Sequence, residues 1–354
     1  MRFYNYQHQF YAGIDLHARK MYICVIDNLG KKIFHKNMDA DPLHLMQALE
    51  PYKADIIVGV ECVFTWYWMA DCCEDNDIPF ILGHALYMKA IHGGKTKNDK
   101  IDSFKLATML RGGMFPIAYV YPGKMRAARD LLRRRQYFIH HQSALLAHIQ
   151  NTNTQYNFPL FEKNILHASN RVNISDRFDN QFARKSIETD MALLDSYHRI
   201  LLDIEADIRK QAIHHDPISY QLLRSIHGVG PILSLVILYE INDIDRFPGV
   251  GNFISYARLV KCSHESAGKR VKGGHNKIGN AHLKWAFSEA AVLFLRKNEP
   301  AKKMQQRLTS RYGKGKAISL IAQKLGRTVY YMLKRKELFD AKRFFKDSVH
   351  ELAI

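Results

Sequence analysis

Two proline-free stretches, Met125–Thr154 and Ser186–Ile213, constrain this chain more than any other feature. Both carry helical spacing, and in the second Ile187, Met191, Leu194, Tyr197, Leu201, Ile204 and Ile208 recur every three or four residues. An apolar stripe of that length is the seam of a coiled coil or of a long bundle helix. Between the two stretches, Asn157–Asp179 holds Pro159 and several asparagines and reads as a loop. The pair therefore predicts an antiparallel helical hairpin, a connector over residues 117–215. It leaves an amino-terminal domain at 8–116 and a carboxy-terminal domain at 216–340, a division that a 354-residue chain accommodates.

The amino-terminal part alternates short apolar runs with helical patterns. Phe10–Leu16, Met21–Ile26 and Lys32–His35 read as three strands, with Asp27-Asn28-Leu29-Gly30 as the turn between the last two. Pro42–Tyr52 reads as a helix, Asp55–Glu61 as a buried strand, Trp66–Asp75 as a helix, Pro79–Leu82 as a strand and Ile101–Leu110 as a helix. That order predicts an α/β layer with a mixed sheet, followed by an all-α remainder. Helices are expected at Leu222–Ile226, Ile232–Glu240, Ala281–Arg296 and Ala317–Lys334.

Charge sets the partner class. Lys and Arg number 52 against 34 Asp and Glu, a formal charge of +18, which calls for a polyanion. The longest apolar run, Pro231–Tyr239, is too short to span a membrane, and the amino terminus has no signal-peptide core. Five cysteines form no CxxC pair, so neither a zinc knuckle nor a disulfide framework is expected. A cytoplasmic, reduced, nucleic-acid-binding protein is the expectation.

Four acids stand where α/β proteins place chemistry. Asp15 ends the first strand, Glu61 ends a later one, and Asp99 and Asp102 lie three apart at the start of a helix. Each alone has an ordinary reading, as a solvated loop acid or a helix cap. Brought together they would repel unless a divalent cation held them; Mg²⁺ takes such hard oxygen ligands, and a pair of ions can clamp a phosphodiester. In the carboxy-terminal part, His227-Gly228-Val229-Gly230-Pro231 between two helical runs is similar to a helix-hairpin-helix, with Gly228 and Gly230 placed for backbone approach to a phosphate; a tight helical turn is the plainer alternative. Arg258–Lys284 has seven Lys and Arg against Glu265 alone, and Ala301–Arg335 has ten with no acid. Lys269, Arg270, Lys277, Lys314, Lys316 and Lys324 are candidate phosphate contacts from these stretches. Ser266, in Glu265-Ser266-Ala267-Gly268, is a candidate nucleophile next to Lys269 and Arg270, although Ser-Ala-Gly is also common turn chemistry.

Gly13-Ile14-Asp15, Val60-Glu61 with Thr65-Trp66-Tyr67, and Asn98-Asp99-Lys100-Ile101-Asp102 form an ordered set. They are followed by Gly228-Val229-Gly230-Pro231, Phe253–Val260, Glu265-Ser266-Ala267-Gly268 and Lys277–Leu283. On these residues the chain resembles the DEDD transposases related to the Piv DNA invertase, insertion-sequence recombinases whose better-known members are guided by a bridge RNA. The resemblance implies a RuvC-like domain of the RNase H fold, a coiled-coil connector and a helical transposase domain. It implies Asp15, Glu61, Asp99 and Asp102 as a tetrad for Mg²⁺, two ions in all, and Ser266 as nucleophile. It further implies DNA and a guide RNA as partners, a dimer or tetramer, and a prokaryotic, nucleoid-associated setting. The chain departs from the family pattern at Cys62-Val63-Phe64, at Ala267 and at Lys284, and none of these removes a proposed catalytic group.

Other readings make different demands. An RNase H-fold nuclease or resolvase would use the acids without the serine. An actin-like kinase or ATPase needs a second, glycine-rich α/β domain, which the helical second half does not offer. A scaffold binding nucleic acid by charge alone would be indifferent to the four acids.

Overall fold

The computed structural model describes residues 2–91, 98–212, 215–260, 264–266, 269–271 and 278–346. They fall into two compact units, Met1–Lys124 and Met125–Ile354.

The first unit runs β1 (Phe3–Tyr4), β2 (Phe10–Leu16), β3 (Lys20–Asp27), β4 (Lys32–Asp39), α1 (Pro42–Leu49), β5 (Ile56–Glu61), α2 (Tyr67–Asp75), β6 (Phe80–Gly83), α3 (Ala85–Ile91), α4 (Asp99–Arg111) and β7 (Phe115–Ala118). β2, β3 and β4 form an antiparallel meander, β5 and β6 add in parallel, and β7 and β1 return antiparallel. The resulting seven-stranded order is β1-β7-β6-β5-β2-β3-β4, the expected mixed sheet. β2 and β5 read as nearly continuous apolar runs because they are central and covered on both faces. β4 is an edge, and its lysines and partial exposure suit a strand that must not recruit another. The β3–β4 turn is held by Asp27 Oδ1, which accepts from Leu29 N at 3.0 Å and Lys31 N at 2.8 Å. β1 and β7 were not expected: one is two residues long and the other contains Pro116, which argues against a strand interior.

Alternation along the strands puts Tyr11, Gly13 and Asp15 of β2, and Ile57, Gly59 and Glu61 of β5, on one face. α4 covers that face, with Leu106, Ala107 and Leu110 packed among Tyr11, Cys24, Ile26, Ile57 and Phe115. Gly13 permits the approach. A Cβ there would lie 2.2 Å from Ala107 N and 2.3 Å from Ser103 O, both backbone atoms of α4.

The second unit contains α5 (Gly123–Gln155, whose first two residues belong to the first unit), α6 (Gln181–Ala212), α7 (Pro217–Arg224), α8 (Pro231–Ile241), α9 (Val250–Tyr256), β8 (His264–Ser266), β9 (Lys269–Val271), α10 (Ala281–Phe294), α11 (Glu299–Tyr312), α12 (Lys314–Arg335) and α13 (Ala341–Lys346). α5 and α6 run antiparallel, joined near one end by Arg135 to Glu205 at 2.6 Å and further along by His148 to Asp190. On α6, Ile187, Leu194, Leu201 and Ile208 are buried at seven-residue intervals. α5 buries a largely polar set that includes Arg126, Arg129, Gln136, Gln142 and Asn153. The intervening loop closes the far end by packing Ile165, Ile174 and Phe178 against Ile149 and Ile187.

α8 is the central helix, buried from Leu233 to Ile241. Leu235, Ile237 and Leu238 share a core with Phe287 and Phe294 of α10 and with Ile321, Leu325 and Val329 of α12. The core also holds a charge. Glu240 accepts from Arg133 Nε at 2.6 Å and Nη2 at 2.8 Å, and from Asn280 Nδ2 at 2.7 Å. Burial pushes the Glu240 carboxyl up, but Arg133 and Asn280 outweigh it and hold the group below the usual glutamate range. Asn280 also caps α10, its Oδ1 accepting from Leu283 N at 3.0 Å. One asparagine thus starts a helix and satisfies a buried acid.

Candidate active site

The last registered pair between β2 and β5 is Ile14–Val60, so the next residues, Asp15 and Glu61, leave the same end of the sheet. α4 starts at that end, capped by Asn98, whose side chain accepts from Lys100 N at 2.9 Å. Its first turn carries Asp99 and Asp102. The tight cluster is Asp15, His17 and Asp99, each offering one ligand atom within 4.8 Å of the others. His17 Nε2 lies 3.5 Å from Asp15 Oδ2 and 3.6 Å from Asp99 Oδ2. Glu61 stands one strand away and Asp102 one helical turn away, its Oδ1 3.2 Å from Lys105 Nζ.

The electrostatics agree with this convergence. Burial pushes the Asp15 carboxyl above its usual range; His17 draws it down, while the negative charges of Asp99 and Asp102 raise it again. Carboxylate oxygens with one imidazole are a donor set for a hard divalent cation such as Mg²⁺ or Mn²⁺, whose charge would relieve the mutual repulsion. The first turn of α4 is pinned from β4. His35 Nε2 lies 2.9 Å from Lys100 O and 3.2 Å from Ser103 Oγ. The carbonyl only accepts, so Nε2 carries the proton; burial holds this imidazole below its ordinary pKa.

The basic half separates the remaining candidates. Gly228 has φ +80°, and a Cβ on it would lie 2.6 Å from the Leu293 carbonyl atoms, so close packing on α10 requires glycine there. Gly230 caps α8, and the space around its Cα is open. Ser266 ends β8, opposite Lys269 of β9, and Glu265 is opposite Arg270. Lys277 lies outside the described residues. Lys314 and Lys316 are exposed on the first turn of α12, with Lys316 Nζ 4.5 Å from the centroid of the Tyr312 ring. Lys324 corrects the expectation of a phosphate contact. It is 6% exposed, and its ammonium lies over Phe344, because the helical period turns it inward.

His17 and His35 were not singled out from the sequence. His17 follows Asp15 by two, a strand-like spacing that puts both on one side, so a signal existed. His35 is 65 residues from Lys100, and only tertiary structure joins them.

A family model of DEDD transposases of the IS110 type matches residues 12–158, and one described as "Transposase IS116/IS110/IS902 family" matches residues 220–306. Together they span more than half of the chain, and Asp15, Glu61, Asp99 and Asp102 fall in the first and Ser266 in the second. The chain belongs to the IS110 family of transposases. No curated protein matches it. An IS110 transposase is a DNA transposase and recombinase, so its polyanionic partner is DNA. The mixed sheet with acids at its end is consistent with the DEDD, RNase H-like domain of this family. Among the described residues no helix is long and apolar enough to cross a membrane.

Proposed function

We propose that this IS110 transposase cuts and rejoins DNA strands with Asp15, Glu61, Asp99 and Asp102 as a Mg²⁺-holding tetrad and Ser266 as nucleophile. The observation that carries the reading is the convergence of Asp15 and Asp99 about His17 at the sheet end, where Asp15 is part-buried among like charges. When bound, two Mg²⁺ ions supply charge stabilisation to a phosphodiester. The chain's own residues supply the rest. The four carboxylates would hold those ions at one end of the sheet, and α4, seated on Gly13, sets the spacing of the acids. The Ser266 hydroxyl forms a bond to phosphorus, the bond to one DNA oxygen breaks, and the serine proton passes through water to that oxygen, so that the departing strand leaves as a hydroxyl. The resulting phosphoserine keeps the energy of the phosphodiester for rejoining.

Lys314 and Lys316, beside Arg311 and Tyr312, contact DNA or RNA backbone in this reading, and Gly230, Lys269, Arg270 and Lys277 are further contacts. A structured guide RNA selects the DNA. The α5–α6 hairpin acts as a coiled coil that assembles a dimer or tetramer; exposed Phe182, Leu193, Ile200 and Leu202 on α6 support such an interface.

A plasmid carrying the element with its own flanking DNA tests the mechanism. Ser266→Ala should abolish detergent-resistant protein–DNA adducts while leaving DNA binding intact, and Asp15→Asn should lose metal-dependent cutting. If Ser266→Ala recombines at a rate comparable to the parent, the serine is not the nucleophile and a water or a DNA 3′-hydroxyl takes its place.

A further inference from the structure

Phe64 is 88% exposed, on the turn that follows Glu61. That turn is braced. Cys62 N donates to Gly83 O at 2.8 Å and Val63 N to Glu61 O at 2.8 Å. At its other end Thr65 Oγ1 donates to Leu16 O at 3.4 Å, the carbonyl next to Asp15. Trp66 then enters the core at 6% exposure, its ring edge-on to Tyr67 with centroids 4.7 Å apart. The phenylalanine is therefore held on a short, tied segment between the two strand-end acids, with its ring in water.

An apolar ring fixed in this way contributes nothing to the fold and costs little to order when something covers it. In the preceding reading the acids act on a phosphodiester, and the flat apolar surface that arrives with a phosphodiester of DNA is a nucleobase. We propose that Phe64 is a stacking platform for a DNA base next to the scissile phosphate, a positioning contact that holds the strand unstacked and in register at the acids. The proposal rests on the preceding assignment of the acids. Stacking on an aromatic face tolerates any base, which suits an enzyme whose sequence choice comes from elsewhere.

The test uses the full-length protein and a single-stranded oligodeoxynucleotide bearing 5-iododeoxyuridine, which cross-links on irradiation to an aromatic ring stacked on it. Mass spectrometry should map the adduct to Phe64. Phe64→Ala should remove that adduct and weaken binding of the same strand about tenfold. Phe64→Tyr and Phe64→Trp should keep both, and Phe64→Leu should behave as the alanine variant does. Because the ring is exposed, none of these changes burdens folding. An adduct mapped elsewhere, or Phe64→Leu binding as tightly as the parent, overturns stacking at Phe64. Asp15→Asn separates the two readings: it should lose cutting yet retain the Phe64 adduct. An Asp15→Asn protein that still cuts overturns the acid assignment. One that is inactive, in a chain whose Phe64 forms no adduct, overturns the stacking proposal alone.

Discussion

Replacing Gly13 with alanine should disturb the candidate active site without touching any of its acids. The added Cβ would lie 2.2 Å from Ala107 N and 2.3 Å from Ser103 O, where ordinary contact begins at 3.4 Å. Both obstacles are helix backbone and neither can rotate away, so α4 must retreat from β2 by about 1 Å. Overpacking of this kind costs about 1–3 kcal/mol, and with backbone on both sides the upper end applies. The first turn of α4 carries Asp99 and Asp102, so the same retreat moves them from Asp15; a misplacement of about 1 Å can cost about 100-fold in rate. Urea unfolding of the full chain, Mn²⁺ titration and strand cutting would measure the three consequences. Gly59→Ala is the control. Its Cβ meets Leu110 Cδ1 at 2.7 Å and Phe115 Cζ at 2.9 Å, side-chain atoms that can turn aside, so the loss should be about 1 kcal/mol with metal binding spared. A Gly13→Ala protein as stable and active as the parent, or a Gly59→Ala protein equally poor in metal binding, would refute this account of α4 docking.

Three further outcomes follow from the second unit. Glu240 has its carboxyl held low in the fold, so its pairing stabilises fully above the ordinary glutamate pKa of about 4.3 and is lost as pH falls through the lower folded value. Arg133→Met should therefore cost about 3–5 kcal/mol at pH 7, and urea unfolding across pH should show the gap from the parent shrinking in acid; a constant gap would contradict the buried pair as the cause. Lys314→Gln and Lys316→Gln should each reduce the slope of log affinity for DNA against log salt by about one, measured by filter binding. Lys324→Gln should leave that slope alone and lower the melting temperature instead, since its ammonium is buried over Phe344; a changed slope would put it back at the surface.

The strands β2, β3 and β5 were legible because central strands bury both faces and announce themselves as apolar runs, and α6 because its stripe repeats from Ile187 to Ile208. The acids at the strand ends were legible for the same reason: a charge that terminates an apolar run stands out. β7 was not, because Pro116 signals against a strand and only pairing with β1 and β6 makes it one. The apolar run Pro231–Tyr239 gave away a buried helix but not Glu240 at its end, whose burial depends on Arg133 from a distant helix.

Local sequence thus determined the central strands, the long helices, the charge and the positions of acids at strand and helix ends, all of which depend on neighbours along the chain. Tertiary structure alone decided which groups meet. The register of β2 on β5 and the docking of α4 onto Gly13 bring Asp15 to Asp99; the period of α12 turns Lys324 inward and leaves Lys314 and Lys316 outside. Contacts across tens of residues leave no mark in local spacing, because each partner's own neighbourhood is ordinary.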